Sequence, residues 1–216
     1  MRNINLHNDI SLVDGYIIVN NQDGNRLFLE HDLMYGGSDV YCWLMGFILI
    51  GLGSYEQILN RGLKNRSTRL GEFIYRLESE LQKDINFKLN NSYEGLIIKS
   101  RLDKDLIVCE TDKRFMSLFI VNHIELNNAV IIEFDVKGFD NTFSMLVTAL
   151  EVVKKKSIKT LFCLSPQYSE SPKNYWNAVF KSNDEKDPFL YTWVDFDHGE
   201  SCRARIVNVL ALYKIS

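Results

Sequence analysis

The sequence contains no long apolar run and no surplus of positive charge. No apolar segment reaches the length of a membrane-spanning helix, and the first ten residues lack the apolar stretch that a secretory signal requires. The 25 Lys and Arg residues are offset by 28 Asp and Glu residues, which gives a formal net charge of −3. This balance provides no general attraction to phosphate backbones or anionic membranes. These absences predict a cytoplasmic protein that engages neither a membrane nor, directly, a nucleic acid.

Close cysteine pairs are also absent. Cys42, Cys109, Cys163 and Cys202 are far apart in the chain, so none belongs to the short spacings typical of zinc or redox motifs. Three of the four lie in or beside apolar runs, where a buried thiol is the expected state. We therefore predict reduced thiols, a reducing compartment, and no metal or other cofactor.

Apolar residues, by contrast, are plentiful. Hydrophobic residues make up 46% of the chain and aromatic residues 12%, which is enough to form a large core and excludes disorder of the whole chain. No repeat or low-complexity tract divides the sequence. We expect one mixed α/β domain over residues 1–216, with residues 90–95 as the candidate for an internal boundary.

Two hairpins are predicted in the first fifty residues. The runs 16–20 and 26–31 flank an Asp-Gly pair, which is a strong hairpin signal. The runs 40–44 and 47–50 are separated by Met45 and Gly46 alone, a connection of the length used in tight β-turns. The early chain is therefore expected to form an antiparallel meander.

Two helices should follow the meander. Ser54 and Gln57 have the spacing of a capping box, which predicts a helix beginning after Ser54. A second helix is predicted by apolar residues that recur at helical spacing. These residues are Leu70, Phe73, Ile74, Leu77, Leu81 and Ile85.

The second half of the chain contains mostly short β-type runs. Strands are predicted at residues 96–98, 106–109, 115–121 and 129–136. Asp140 or Asn141 can cap a helix that extends to residue 156, after which residues 160–164 form another buried strand. A strand, a helix and a strand in this order predict a βαβ unit with parallel strands in a mixed sheet.

The last fifty residues give weaker signals. Residues 175–180 suggest a short helix, and residues 189–196 are rich in strand-forming side chains. Residues 205–213 suit either a helix or a strand, and the clustered β-branched residues favour a strand.

One group of polar residues ends an apolar strand. Residues two apart in a strand share a face, so Glu133, Asp135 and Lys137 should project together. Two carboxylates can hold Mg²⁺, and a lysine beside them can orient or help to deprotonate a water. The segment 112–164 resembles restriction-endonuclease-like nucleases, and that resemblance implies Asp112 as a further carboxylate, although no proline precedes it. The other interpretation is a strand that becomes polar where it leaves the core.

A second acidic group follows the strand that contains Trp193. Asp195 and Asp197 would share a face, and His198 and Glu200 are close enough in the sequence to complete a metal site. No fixed ligand spacing is matched, and acidic residues are common in turns. We expect Asp195, Asp197 and Glu200 to belong to a protein-binding surface.

The segment 39–51, taken as a hairpin, together with the capped helix that follows it resembles a segment of bacterial immunity proteins, including those of contact-dependent growth inhibition systems. That resemblance implies a cytoplasmic protein that binds and neutralises the toxic C-terminal domain of a cognate toxin, often a nuclease. An acidic face is suited to covering a basic nuclease site. Toxin immunity is therefore the leading hypothesis, and a magnesium-dependent nuclease is the alternative.

Overall fold

The computed structural model describes residues 4–20, 25–29, 37–59, 66–84, 87–89, 92–153, 157–167, 174, 176–182, 190–195 and 201–215. Within these ranges the fold is mixed α+β, as predicted. The helices are α1 (Ser38–Leu49), α2 (Tyr55–Leu59), α3 (Arg69–Lys83), α4 (Tyr93–Ser100) and α5 (Met116–Glu125). The strands are β1 (Ile4–Leu6), β2 (Ile10–Val13), β3 (Tyr16–Val19), β4 (Asn25–Arg26), β5 (Leu106–Glu110), β6 (Ala129–Val136), β7 (Thr142–Val153), β8 (Ser157–Leu164), β9 (Ala178–Ser182), β10 (Leu190–Asp195) and β11 (Ser201–Lys214).

The predicted N-terminal meander is a small antiparallel sheet of β2, β3 and β4. The pairing of Ile18 with Arg26 confirms the first hairpin, although its tip lies outside the described residues. Asp14 and Gly15 join β2 to β3 with positive φ angles of 50° and 84°. Both residue types tolerate this backbone region, so a second Asp-Gly pair makes the two-residue turn between Val13 and Tyr16.

The second predicted hairpin is wrong, because its residues form helix α1. Every residue of α1 is buried, and a run that is apolar on all sides has no periodicity to separate helix from strand. Gly46 is not a turn residue. A Cβ atom at this position would lie 2.9 Å from Leu212 Cδ1 and 3.5 Å from Ala129 Cβ. The glycine therefore allows α1 to pack closely on β6 and β11.

Both helices predicted after this segment are confirmed. The Ser54 amide donates to Gln57 Oε1 at 2.9 Å, and the Gln57 amide donates to Ser54 Oγ at 3.1 Å, which completes the capping box of α2. The predicted apolar stripe of α3 is buried from Leu70 to Leu81, whereas Ile85 lies outside the described residues. Thr68 caps this helix by accepting from the Gly71 amide.

Two of the predicted strands are helices. Residues 96–98 belong to α4, and residues 115–121 belong largely to α5. The buried side chains of α5 recur at helical spacing, which outweighs the β-propensity of the individual residues. These side chains are Met116, Ile120, Val121 and Ile124.

The predicted βαβ unit is wrong, because residues 142–153 form strand β7. All strand pairings in the described part of the chain are antiparallel. Gly138, with a φ of +96°, lies in the turn that leads from β6 back into β7. Residues 178–182 likewise form β9 where a helix was predicted at 175–180. The strands predicted around β5, β6, β8, β10 and β11 are confirmed.

Strands β6 to β11 form a closed cylinder. Each strand pairs with the next along the chain, and β11 pairs back with β6. Strands β1 and β5 extend the sheet by pairing with β7 and β11. The apolar interior of the cylinder includes Phe134, Phe180 and Tyr191. No helix of the described residues is both long and apolar enough to cross a membrane.

Helices cover the cylinder at one end and on one side. Helix α5 contacts β6, β7, β8 and β11, and its apolar residues join the interior core at the end where β6 begins. We name this the lower end. Helix α1 packs outside the cylinder against β6 and β7, with Ala129 and Ile131 in its contact layer. Because side chains alternate along β6, Glu133 and Asp135 lie on this outer face.

Candidate functional site

A cleft of about 360 Å³ lies where the N-terminus of α1 meets the β6–β7 hairpin. Ser38 and Asp39 reach it from the helix, and Glu133 reaches it from β6. Phe87 and residues 141–144 of the β6–β7 hairpin also line it, whereas the Phe143 ring itself packs on Phe134 inside the cylinder. Carboxylates, hydroxyls and one aromatic residue therefore surround one space.

Ser38 connects the helix to the sheet at the floor of the cleft. This residue is 8% exposed, and its Oγ accepts a hydrogen bond of 3.0 Å from the Ser144 backbone amide on β7. The bond joins residues that are 106 positions apart in the sequence. It fixes the first residue of α1 against the cylinder and gives the cleft a defined floor.

Asp39 occupies the first turn of α1. Its Oδ2 accepts a hydrogen bond of 2.6 Å from the Leu89 amide, so the carboxylate also holds the segment 87–89 against the helix. A carboxylate at this position offsets the partial positive charge of the helix N-terminus. Gly37 makes room for it, since a Cβ atom there would lie 2.8 Å from Asp39 Oδ1.

Glu133 is the other carboxylate of the cleft. It lies opposite Ser144 in the β6–β7 pairing, and its Oε2 accepts a hydrogen bond of 2.9 Å from Asn208 Nδ2 on β11. Among the described residues it has no cationic partner. Lys88 lines the same cleft but is exposed, and it forms no ion pair with another described residue.

The four residues of the nuclease hypothesis do not come together. Asp112 caps a short 3₁₀ turn and pairs with Arg114, whose Nη2 lies 3.1 Å from Asp112 Oδ2. That turn follows β5, and β11 separates β5 from β6. The expected sharing of a face by Glu133 and Asp135 is confirmed, yet Asp135 accepts from Thr142 Oγ1 and lies outside the cleft.

Lys137 also lies apart from the cleft, in the β6–β7 turn, where its amide donates to the Arg203 carbonyl. In the part of the chain that the structure describes, no group of three His, Cys, Asp or Glu side chains is arranged to hold a metal ion. The helix expected between the two strands of the nuclease segment is replaced by β7. The arrangement that motivated the nuclease resemblance is therefore not present.

The predicted toxin-binding residues follow β10. Asp195 is the last residue of that strand, whereas Asp197 and Glu200 lie outside the described residues. The strand ends at the same end of the cylinder as β6, because Val194 pairs with Ser201 and the Lys137 amide bonds to Arg203 at the start of β11. We name this the upper end.

Aromatic side chains form a layer at the upper end. The Phe139 ring lies 6.1 Å from the Phe143 ring, which in turn lies 6.4 Å from the Trp193 ring and 5.9 Å from the Phe134 ring, measured between centroids. Phe134 is fully buried, Phe143 and Trp193 are half-buried, and Phe139 is 64% exposed. The interior core thus continues to the surface at this end.

The ionisable groups in the described lining of the cleft are two carboxylates and one lysine. Its described lining contains no histidine and no cysteine. Cys42 lies one turn along α1 from Ser38, and burial raises the pKa of its thiol well above the ordinary value, so it is a neutral thiol. Burial also lowers the pKa of His7 and of His123, neither of which lines the cleft.

Part of this site was predictable from the sequence. Glu133 stands out as a polar residue within an apolar strand. Ser38 and Asp39 were missed because their segment was assigned to a hairpin, although a serine and an acid before an apolar run are signals of a helix start.

No family model matches this chain, and none of the curated proteins matches it significantly.

Proposed function

We propose that this chain acts by binding another protein, and that its partner is the toxic C-terminal domain of a cognate bacterial toxin. The segment 39–51 motivated the resemblance to immunity proteins as a hairpin, but it forms most of helix α1. The proposal therefore depends on the upper end of the cylinder. The observation that carries it is the exposed Phe139 ring at the tip of the aromatic layer.

An exposed aromatic ring backed by a core is typical of a protein-binding anchor. Aromatic residues are enriched at the centres of interfaces, because a rigid ring buries a large area at a small entropic cost. Phe139 lies in a turn between two strands of the closed sheet, so its backbone is held in place. Such a ring is ready to bind without much reorganisation.

Carboxylates close to this anchor in the sequence suit a basic partner. Asp135 and Asp140 are exposed in the hairpin that carries Phe139, and Asp195 ends β10, with the acidic residues 197 and 200 next in the sequence. The exposed Lys137 of the same turn and the exposed Arg203 and Arg205 of β11 reduce the local charge. Carboxylates at the rim of an interface mainly speed association with a positively charged partner. A nuclease toxin has a positively charged surface for holding its substrate.

The proposal can be tested by co-expressing the chain with the product of the neighbouring gene. We expect the two proteins to co-purify and the growth defect caused by the partner to disappear. Phe139→Ala should weaken the complex by about 2 kcal/mol, as for a central interface residue. Leu126→Ala is the matched control, because Leu126 is 68% exposed but directly follows α5 at the lower end.

Two results would contradict this proposal. One is that the two products do not co-purify and that the chain does not relieve the growth defect caused by the partner. The other is a complex that Phe139→Ala and Leu126→Ala weaken equally, since that would remove the special role of the upper end.

A further inference from the structure

We infer that the cleft at the N-terminus of α1 receives an arginine side chain of the protein partner, with Glu133 as its ionic contact. This inference rests on the proposed function and adds a specificity site to it. It depends on the charge balance inside the cleft, on its walls and on its position next to Phe139.

One carboxylate of the cleft, that of Glu133, has no ion-pair partner among the described residues, although Lys88 lines the same cleft. Asp39 offsets the positive end of α1 and accepts from the Leu89 amide, so it has a structural role within the chain. The only hydrogen bond of the Glu133 side chain among the described residues is from the neutral amide of Asn208. A half-buried carboxylate with a neutral partner gains most from an incoming cation, because desolvation weakens its contact with water.

The walls of the cleft favour a guanidinium over an ammonium group. Phe87 lines the cleft, and a planar guanidinium stacks on an aromatic ring better than an ammonium group does. Glu133 keeps Oε1 in addition to the Oε2 atom that accepts from Asn208, and the Thr142 hydroxyl is a further acceptor at the rim. Arginine has five N–H donors in a fixed plane, which matches several acceptors on different sides.

The position of the cleft links it to the proposed interface. Residues 141–143 line the cleft and directly follow the turn that carries Phe139, and the Phe139 and Phe143 rings are in contact. A partner seated on Phe139 therefore has the cleft within reach. Lys88 lies at the cleft as an exposed positive charge, so it opposes the incoming cation and tunes the affinity.

The test is a titration of the full chain with Nα-acetyl-arginine amide, followed through backbone amide shifts. We expect saturable shifts at Glu133 and Ser144, and weaker binding of the citrulline analogue, in which a neutral urea replaces the guanidinium. Glu133→Gln should weaken binding about tenfold, because it removes the charge yet keeps an acceptor for Asn208. Lys88→Met should strengthen binding.

Asp135→Asn is the matched control for Glu133→Gln. It makes the same change of charge two residues further along β6 and outside the cleft, and its remaining Oδ1 still accepts from the Thr142 hydroxyl, so it should weaken arginine binding far less than Glu133→Gln does. The inference is overturned if the arginine derivative gives no saturable shifts, or if Glu133→Gln and Asp135→Asn weaken it equally. The inference would also be overturned if magnesium chloride displaced the derivative and shifted the same backbone amides, because that result would indicate a metal-cation site.

Failure of this inference is distinguishable from failure of the proposed function. A complex that forms through Phe139 while the isolated chain ignores the arginine derivative would discard the cleft and retain the partner. Binding of the arginine derivative without any complex would instead discard the toxin as the partner and leave the cleft as a receptor for another protein.

Discussion

The apolar interior of the closed sheet is covered differently at its two ends. At the lower end, α5 packs Met116, Ile120, Val121 and Ile124 against the interior core, so the chain covers its own apolar surface. At the upper end no helix of the described residues plays this part, and the aromatic layer reaches the surface at Phe139. The difference predicts that core substitutions beneath α5 cost more stability than substitution of the exposed ring at the upper end, which is where we propose that a partner binds.

The largest effect should come from the covered end. Ile120 is 1% exposed, and Ile120→Ala should lower the free energy of unfolding by about 3 kcal/mol because it leaves a cavity beneath α5. Leu118→Ala changes an exposed residue of the same helix, and Phe139→Ala changes the exposed ring of the upper end. Both should stay within about 0.5 kcal/mol of the parent. Urea unfolding measures all three, and similar losses for Ile120→Ala and Phe139→Ala would abolish the distinction between the ends.

A smaller change in the free energy of unfolding should distinguish a helix glycine that is packed against a strand from a helix glycine that has no neighbouring atom. Gly46→Ala should cost about 1–2 kcal/mol, because the new Cβ atom meets the Leu212 side chain and α1 must shift. Gly95→Ala in α4 should stabilise the protein by about 0.5–1 kcal/mol, because no atom lies within 4 Å of the added Cβ. Thermal unfolding of the pair measures the two signs. If both changes stabilise the protein, α1 is not packed against β6 and β11 as described.

The same two glycines show what the sequence could and could not predict. Gly46 follows Met45 between apolar runs, which is the local pattern of a turn, and only the contact with Leu212 from the far end of the chain reveals its packing role. Helix α1 was missed because a run that is apolar on every side has no periodicity. Strand β6 was predicted with its observed bounds, because it is rich in β-branched residues and ends in alternating polar ones.

One further error has a local cause, and one part of the site depends on contacts between distant parts of the chain. Asp140 and Asn141 resemble a helix cap, and this outweighed the β-branched content of the residues that form β7. In the cleft, Glu133 was flagged from its position in an apolar strand, but its partner Asn208 is 75 residues away in the sequence. Pairings across such distances depend on closure of the sheet, which no local pattern specifies.

The smallest effect should be a pH dependence of the free energy of unfolding that comes from His7. His7 is buried on the chain segment beside β1, its amide bonds to Thr148 on β7, and burial lowers its pKa from the ordinary histidine value of 6.5. The unfolded chain therefore binds a proton below about pH 6.5 that the folded chain accepts only at lower pH. The stabilising contribution of neutral His7 should be fully present above about pH 6.5 and should fall as the pH is lowered further.

His7→Asn should flatten this dependence, because it removes the group whose pKa differs between the two states. Unfolding free energies measured at steps between pH 7.5 and about pH 5 test it. His123→Asn is the comparison variant, since His123 is less buried than His7 and should contribute less. An unchanged slope in His7→Asn would show that other groups control the response to acid.

The most direct test of a partner at the upper end is amide hydrogen exchange of the chain alone and in complex with the co-expressed partner. We expect slower exchange on binding in the β6–β7 turn around Phe139 and at the adjoining ends of β10 and β11, with no change in α5. Slower exchange across α5, with the Phe139 turn unaffected, would place the partner at the lower end and contradict the account.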